Sequence, residues 1–217
     1  MIADAHRMIT DVKRAIDMNG YDTRLLSQQD TDTLEFEEIV QSQLLPGCRL
    51  VVENAPAWKL ESGHDFKDQD IVWDGESGRG AVVLPADFCR LIGFRMSDWE
   101  RPISEPQLLR AGTPAYDVQF SRYGALRGNP ERPVAALVIR EEGRCLEFFS
   151  CRTTKATIER ADYQPWPHRV EDAGIDLPRK CYEAAIYAVA SLVLSTYNDA
   201  QAQTMMNLSN QFLSAAE

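Results

Sequence analysis

Ile71-Val72-Trp73-Asp74-Gly75-Glu76-Ser77-Gly78-Arg79-Gly80-Ala81-Val82-Val83-Leu84 decides how this chain is read. Two short runs rich in β-branched and aromatic residues flank a glycine-rich connection, which is the pattern of a hairpin. Pro85-Ala86-Asp87 then turns the chain, and Cys89 to Met96 mixes apolar residues with Arg90 and Arg95. That run fits a strand or a short helix by period alone and is read as a strand. Val134 to Ile139, the turn Glu141-Glu142-Gly143, and Cys145 to Cys151 predict a second hairpin, followed by a strand from Thr157 to Tyr163. The stretch 61–170 is therefore expected to be a β-rich insertion.

Outward from this lobe the period changes to that of helices. Ile2 to Met18 carries Ala5, Met8 or Ile9, Val12 and Ile16 on one face, with Asn19-Gly20 as a left-handed cap. Asp30-Thr31-Asp32-Thr33 offers N-caps, and Asp32 with Glu35 has capping-box spacing ahead of Leu34, Phe36, Ile39, Val40 and Leu44. Pro46 is expected to end that helix and open a third, which runs to Ala55-Pro56. At the other end, Asp176-Leu177-Pro178 predicts a helix start and Tyr197 its end. Its segment Ala184 to Ala190 is apolar on every side, which implies burial in a core or between subunits. Asn198-Asp199 breaks and recaps the chain. A last helix places Ala202, Met205, Ser209, Phe212 and Ala216 on one face and Gln203, Thr204, Asn207, Asn210 and Gln211 on the other. The expected architecture is α+β, a single domain over 1–217, with helices 1–56 and 176–216 forming a core around an inserted antiparallel β lobe.

Charge and composition narrow the function classes. The chain has 217 residues, a net charge of −10 and a pI near 4.9. It repels phosphate backbones on balance, so sequence-specific DNA binding is not expected. The apolar run Ala184 to Leu194, broken by Ser191, is far shorter than the roughly 20 residues that cross a bilayer, so no membrane helix is expected. Met1 to His6 carries no basic leader or cleavage site, which points to a cytoplasmic chain. Cys48, Cys89, Cys145, Cys151 and Cys181 are odd in number and scattered, and read as reduced, apolar packing residues.

Catalytic and ligand-binding patterns fail on spacing. Gly75-x-x-Gly78-x-Gly80 has neither the Lys-Ser/Thr of a phosphate loop nor the following helix of a dinucleotide site, so it reads as a hairpin connection. Asp65, Asp68, Asp70, Asp74 and Glu76 lack EF-hand spacing and read as a solvated acidic edge. His6, His64 and His168 lie apart, and Cys145 and Cys151 do not have zinc-knuckle spacing. No catalytic, cofactor or metal residue is assigned. Asp98-Trp99-Glu100-Arg101-Pro102 has two readings, an interface anchor and a tryptophan closing the core edge. Trp166 between Pro165 and Pro167 has the same two.

Four groups of residues carry a resemblance. Gly80 to Ile92, with Leu84-Pro85-Ala86-Asp87-Phe88-Cys89-Arg90-Leu91, and Met96-Ser97-Asp98-Trp99-Glu100-Arg101-Pro102-Ile103 form the first. Arg122-Tyr123-Gly124-Ala125-Leu126-Arg127-Gly128-Asn129-Pro130 is the second. Gly143 to Cys151 with Cys181-Tyr182 is the third, and Asp11-Val12-Lys13-Arg14 the fourth. Together they resemble connector proteins of crAss-like bacteriophages, from Asp11 to about Tyr197. The resemblance implies a head-tail adaptor-like fold, helical with a β insertion. It also implies a homo-oligomeric ring of twelvefold order between the portal protein and adjacent tail or ring proteins, with genomic DNA passing through. The chain is then a structural virion protein of the neck, assembled in the host cytoplasm, and not an enzyme. On that reading Trp73, Asp98, Trp99, Arg101, Trp166, Met205, Asn207 and Gln211 are expected at subunit or partner contacts. The alternative is a small cytoplasmic module that binds a protein or carbohydrate through the β lobe.

Overall fold

The structure, a computed structural model, describes residues 1–18, 36–61, 63–75, 78–171 and 173–215. The caps read at Asn19-Gly20 and Asp30 to Thr33, the Asp32–Glu35 capping box, and Leu34, Glu76 and Ala216 lie outside the described residues. The fold is mixed α+β, and contacts divide the chain into two compact units. One is Met1–Glu61 with Trp166–Glu217, the other Ser62–Pro165.

The first unit begins with β1 (Ile2–Ala3), α1 (Ala5–Met18) and α2 (Phe36–Asn54). Asp4 starts α1 by accepting the backbone N–H of Arg7 at 2.7 Å, as an N-cap carboxylate does. Met8, Val12, Ala15 and Ile16 form the buried stripe that the sequence spacing predicts. Pro46 does not end a helix, because α2 runs through it without interruption. Its side chain faces water, while Leu44, Gly47, Cys48, Val51 and Val52 continue the buried stripe on either side. That burial offsets the roughly 3 kcal/mol that an interior proline costs.

The second unit begins with β2 (His64–Asp65), β3 (Ile71–Trp73), β4 (Gly80–Val83) and β5 (Phe88–Met96). It continues with β6 (Leu109–Arg110), α3 (Pro114–Asp117), β7 (Ala135–Arg140), β8 (Gly143–Phe148) and β9 (Ile158–Pro165). Both predicted hairpins form, with Ile71 opposite Val82 and Ala135 opposite Phe148, and Cys89 to Met96 lies in strand β5. The strands make a five-stranded sheet in the order β3-β4-β8-β7-β6 and a three-stranded sheet β2-β9-β5. The lobe is not wholly antiparallel, since β6 pairs with β7 in parallel.

Phe66, Val82, Phe88, Leu91, Phe94, Met96, Trp99, Leu146, Phe148 and Tyr163 belong to one core cluster that draws on both sheets. Some of its rings meet edge to face, Phe94 with Trp99 at 5.5 Å and Trp73 with Phe148 at 5.4 Å, and others stack, as Phe88 does on Tyr163 at 5.6 Å. A smaller cluster of Ala136, Val138, Cys145 and Phe149 packs with Leu109, Tyr116 and Val134. Gly78 has φ +69°, and a Cβ there would stand 1.9 Å from the Cys151 carbonyl oxygen, so this turn requires glycine.

The chain returns to the first unit through β10 (Arg169–Val170), β11 (Gly174–Asp176), α4 (Tyr182–Thr196) and α5 (Gln201–Ser214). Asp176 is not a helix start. It pairs with Ile2 in a small sheet β1-β11-β10, and the Met1 ammonium lies 3.3 Å from its Oδ1. One turn of 3-10 helix, Arg179–Cys181, precedes α4. Ala184, Ala185, Ile186, Ala188, Val189, Ala190, Val193 and Leu194 are buried, and α1, α2 and α5 all pack on α4. The apolar run is thus the core of the helical unit, and is not held in reserve for a neighbouring subunit. Asn198 takes φ +53° between α4 and α5, and Asp199 Oδ1 accepts the Gln201 N–H at 2.7 Å, the break and recap read from sequence. Met205, Ser209 and Leu213 face inward, whereas Phe212 is exposed and stacks on Tyr187 at 5.1 Å. Among the described residues no helix is long and apolar enough to cross a membrane.

Candidate functional site

The side chains expected at contacts divide into buried and accessible sets. Trp99 is 1% exposed and Met205 0%, so both are core residues and not the contact residues expected from the sequence. Trp99 is turned inward because Asp98, its neighbour, is fastened: Asp98 Oδ2 accepts the Arg152 N–H at 2.6 Å. Ser97 Oγ accepts the Thr157 N–H at 3.1 Å, and the Arg95 guanidinium donates to the Trp99 carbonyl at 3.1 Å. Met96-Ser97-Asp98-Trp99 is therefore a latch between the end of β5 and the approach to β9. Arg101 beyond it is exposed, and Trp166 is half-buried in the other unit. Asn207 and Gln211 lie on the exposed amide face of α5 together with Gln203, Thr204 and Asn210, and Gln203 donates to Asn207 at 3.1 Å.

Trp73 lines a cleft of about 290 Å³ with Asp74, Arg79, Phe120, Arg140 and Glu147. The charges in its wall pair with one another. Arg79 lies 2.8 Å from Asp74, Arg140 donates to Glu147, and the Tyr116 hydroxyl donates to the other Glu147 oxygen at 2.7 Å. Burial, and then that bond to a carboxylate, push the Tyr116 phenol up to about 12. With its ionic groups satisfied internally, the cleft offers an apolar slot rather than an acid–base pair.

An accessible apolar surface lies on the loop after α3, which was not among the contact residues expected from the sequence. Thr113 caps α3 by accepting the Tyr116 N–H, and the buried Gln119 then clamps the loop at both ends. Its Nε2 donates to the Ala115 carbonyl at 3.0 Å, and its Oε1 accepts the Gly128 N–H at 2.8 Å. Phe120 packs edge to face on Tyr116 at 5.2 Å and on Phe149 at 5.4 Å, under the Arg79 guanidinium at 5.3 Å. The loop held in this way presents Tyr123 at 64% and Leu126 at 58% exposure, with Val118 and Phe120 beside them. Large apolar side chains displayed by a fastened backbone are features of contact surfaces. The signal was present in the sequence as apolar residues, Phe120, Tyr123 and Leu126, with neither strand nor helix spacing in a loop.

The acidic stretch Asp65, Asp68 and Asp70 is exposed, as are His6, His64 and His168. Among the described residues no group of three or more His, Cys, Asp or Glu gathers to hold a metal ion. All five cysteines are buried, and burial raises the Cys48 thiol to about 12, so these sulfurs pack as apolar groups. No protein-family model matches the chain, and no curated protein matches it.

Proposed function

We propose that the chain is a ring-forming head-to-tail connector of a bacteriophage virion, a structural subunit docked between portal and tail. The carrying observation is the loop Val118–Arg127. It presents Tyr123 and Leu126 to water on a clamped backbone, within a stretch that resembles the phage connectors. The element order, helices at both ends of the chain around a β-rich middle, agrees with the adaptor-like fold that the resemblance implies.

The mechanism on this reading is steric and electrostatic. Copies repeat head to tail around a closed ring, which uses two different patches per subunit. A net charge of −10 per copy gives the ring a negative potential, so genomic DNA slides through without sequence-specific adhesion. The ring seals the filled head and conducts DNA outward.

Co-expression with a portal protein of the crAss-like phage type, followed by electron microscopy of the purified complex, tests this. Closed rings stacked coaxially on the portal are the expected result. A chain that stays off the portal and forms no ring sinks the reading.

A further inference from the structure

The hairpin of β7 and β8 carries opposite surfaces at its two ends. At the end where Ala135 pairs with Phe148 lies the loop Val118–Arg127, fixed there by Phe120 against Phe149. This loop contains Arg122 and Arg127 and no carboxylate. Neither arginine forms an ion pair among the described residues; Arg122 leans on the Tyr123 ring at 5.8 Å. At the other end, about 20 Å away along the six residues of β7, is the tip where Arg140 pairs with Gly143. There Ile139 is 86% exposed and is followed by the exposed Glu141 and Glu142. Neither glutamate is ion-paired among the described residues: Arg140 is committed to Glu147, and Arg144, the cross-strand partner of Ile139, turns back to donate to the Phe88 carbonyl at 3.1 Å and lies over the Phe88 ring.

The loop itself, which follows the exposed Asp117, is therefore apolar and basic, and the Ile139–Glu142 tip apolar and acidic. On a chain with a net charge of −10, copies repel each other in most orientations, so a local match of opposite sign selects one. We infer that the loop Val118–Arg127 of one copy docks on the Ile139–Glu142 tip of a second copy, placing Tyr123 and Leu126 against Ile139 and Arg122 and Arg127 against Glu141 and Glu142. Because the two patches differ and sit at opposite ends of one hairpin, the contact is heterologous and propagates from copy to copy. This inference rests on the ring reading and names the surface that would build the ring.

Charge exchange in the full-length chain tests it. Arg122→Glu with Arg127→Glu, and separately Glu141→Arg with Glu142→Arg, are each expected to weaken self-association about tenfold or more in sedimentation velocity, since like charges then face each other. An equimolar mixture of the two double variants restores association, because each loop again meets a tip of opposite sign. All four positions are solvent-facing or half-buried, and circular dichroism checks that the variants fold. Tyr123→Ser with Leu126→Ser, at two exposed positions, supplies an uncharged second probe and is expected to weaken association as well. A mixture that associates no better than its components overturns the inference, as does a parent chain that stays monomeric at every accessible concentration. Portal binding separates the two ideas. If both charge variants form rings on the portal like the parent, the connector reading stands and this contact falls. If the parent forms none while the mixture restores association, the contact stands and the connector reading falls.

Discussion

Alanine at Gly78 and alanine at Gly75 are expected to destabilise the same hairpin turn by different amounts. Both glycines have left-handed backbones, φ +57° at Gly75 and +69° at Gly78. That conformation costs a non-glycine residue about 1–2 kcal/mol. In each case the loss of unfolded-chain entropy returns about 0.4–1 kcal/mol. At Gly75 nothing lies within 4 Å of the added Cβ, so the net cost is about 1 kcal/mol. At Gly78 the Cβ would be 1.9 Å from the Cys151 oxygen and 2.9 Å from its carbonyl carbon. Backbone must move by about 1.5 Å to restore van der Waals contact. The movement opens the 3.1 Å hydrogen bond from the Cys151 N–H to the Gly78 carbonyl, and an orphaned buried donor costs about 1–3 kcal/mol. Gly78→Ala should therefore exceed Gly75→Ala by about 2–3 kcal/mol. Urea unfolding followed by the fluorescence of Trp73 and Trp99, in a background with Trp58→Phe and Trp166→Phe, reads the transition of the β unit. Equal midpoints for the two variants, with equal slopes, would refute the argument that packing rather than backbone conformation demands Gly78.

Other outcomes follow from the same geometry. Trp99→Ala empties a site in the core of the β unit and should cost about 3–5 kcal/mol, whereas Arg101→Ala on the surface should stay within about 0.5 kcal/mol of the parent. An unchanged urea midpoint for Trp99→Ala would return that residue to the interface. Burial and a hydrogen bond to Asp87 push the Tyr163 phenol up to about 12, as burial and Glu147 do for Tyr116. The raised values favour the neutral phenols in the folded state. Their contribution to stability is complete below the unfolded value near 10 and is lost as pH rises from about 10 through about 12. Tyrosinate absorbance should show late-ionising components in that window, one of which disappears in Tyr163→Phe, while the melting temperature falls across it. Early, simultaneous ionisation of all the tyrosines in folded protein would contradict the burial of these two rings.

Local pattern was legible wherever one element buries one face against its immediate partner. Ile71 to Leu84 and Val134 to Cys151 read as hairpins because β-branched runs and turn glycines lie within a few residues of each other. Val12 and Ile16 marked the inner face of α1. The apolar girth of Ala184 to Leu194 announced a helix buried all round, although not what surrounds it. The helix end expected at Pro46 is absent because the rule that proline ends helices is local, and packing of Gly47 and Cys48 against the distant α4 overrides it. Strands of two or three residues such as Ile2–Ala3 and Gly174–Asp176 are too short to show alternation and exist only through their pairing. Trp99 had two readings from its neighbours, and the hydrogen bonds of Asp98 and Ser97 to residues more than fifty positions away decided between them.

The amino-acid sequence alone therefore determined the α+β class, the position of the β-rich middle and the inward face of α1. These follow from periodicity and turn chemistry, which act over a few residues. Tertiary structure alone decided which tryptophan is core, that one helix runs through Pro46, and that the ends of β7 and β8 carry apolar surfaces of opposite charge. Those depend on contacts between residues far apart in the chain, and no local spacing encodes them.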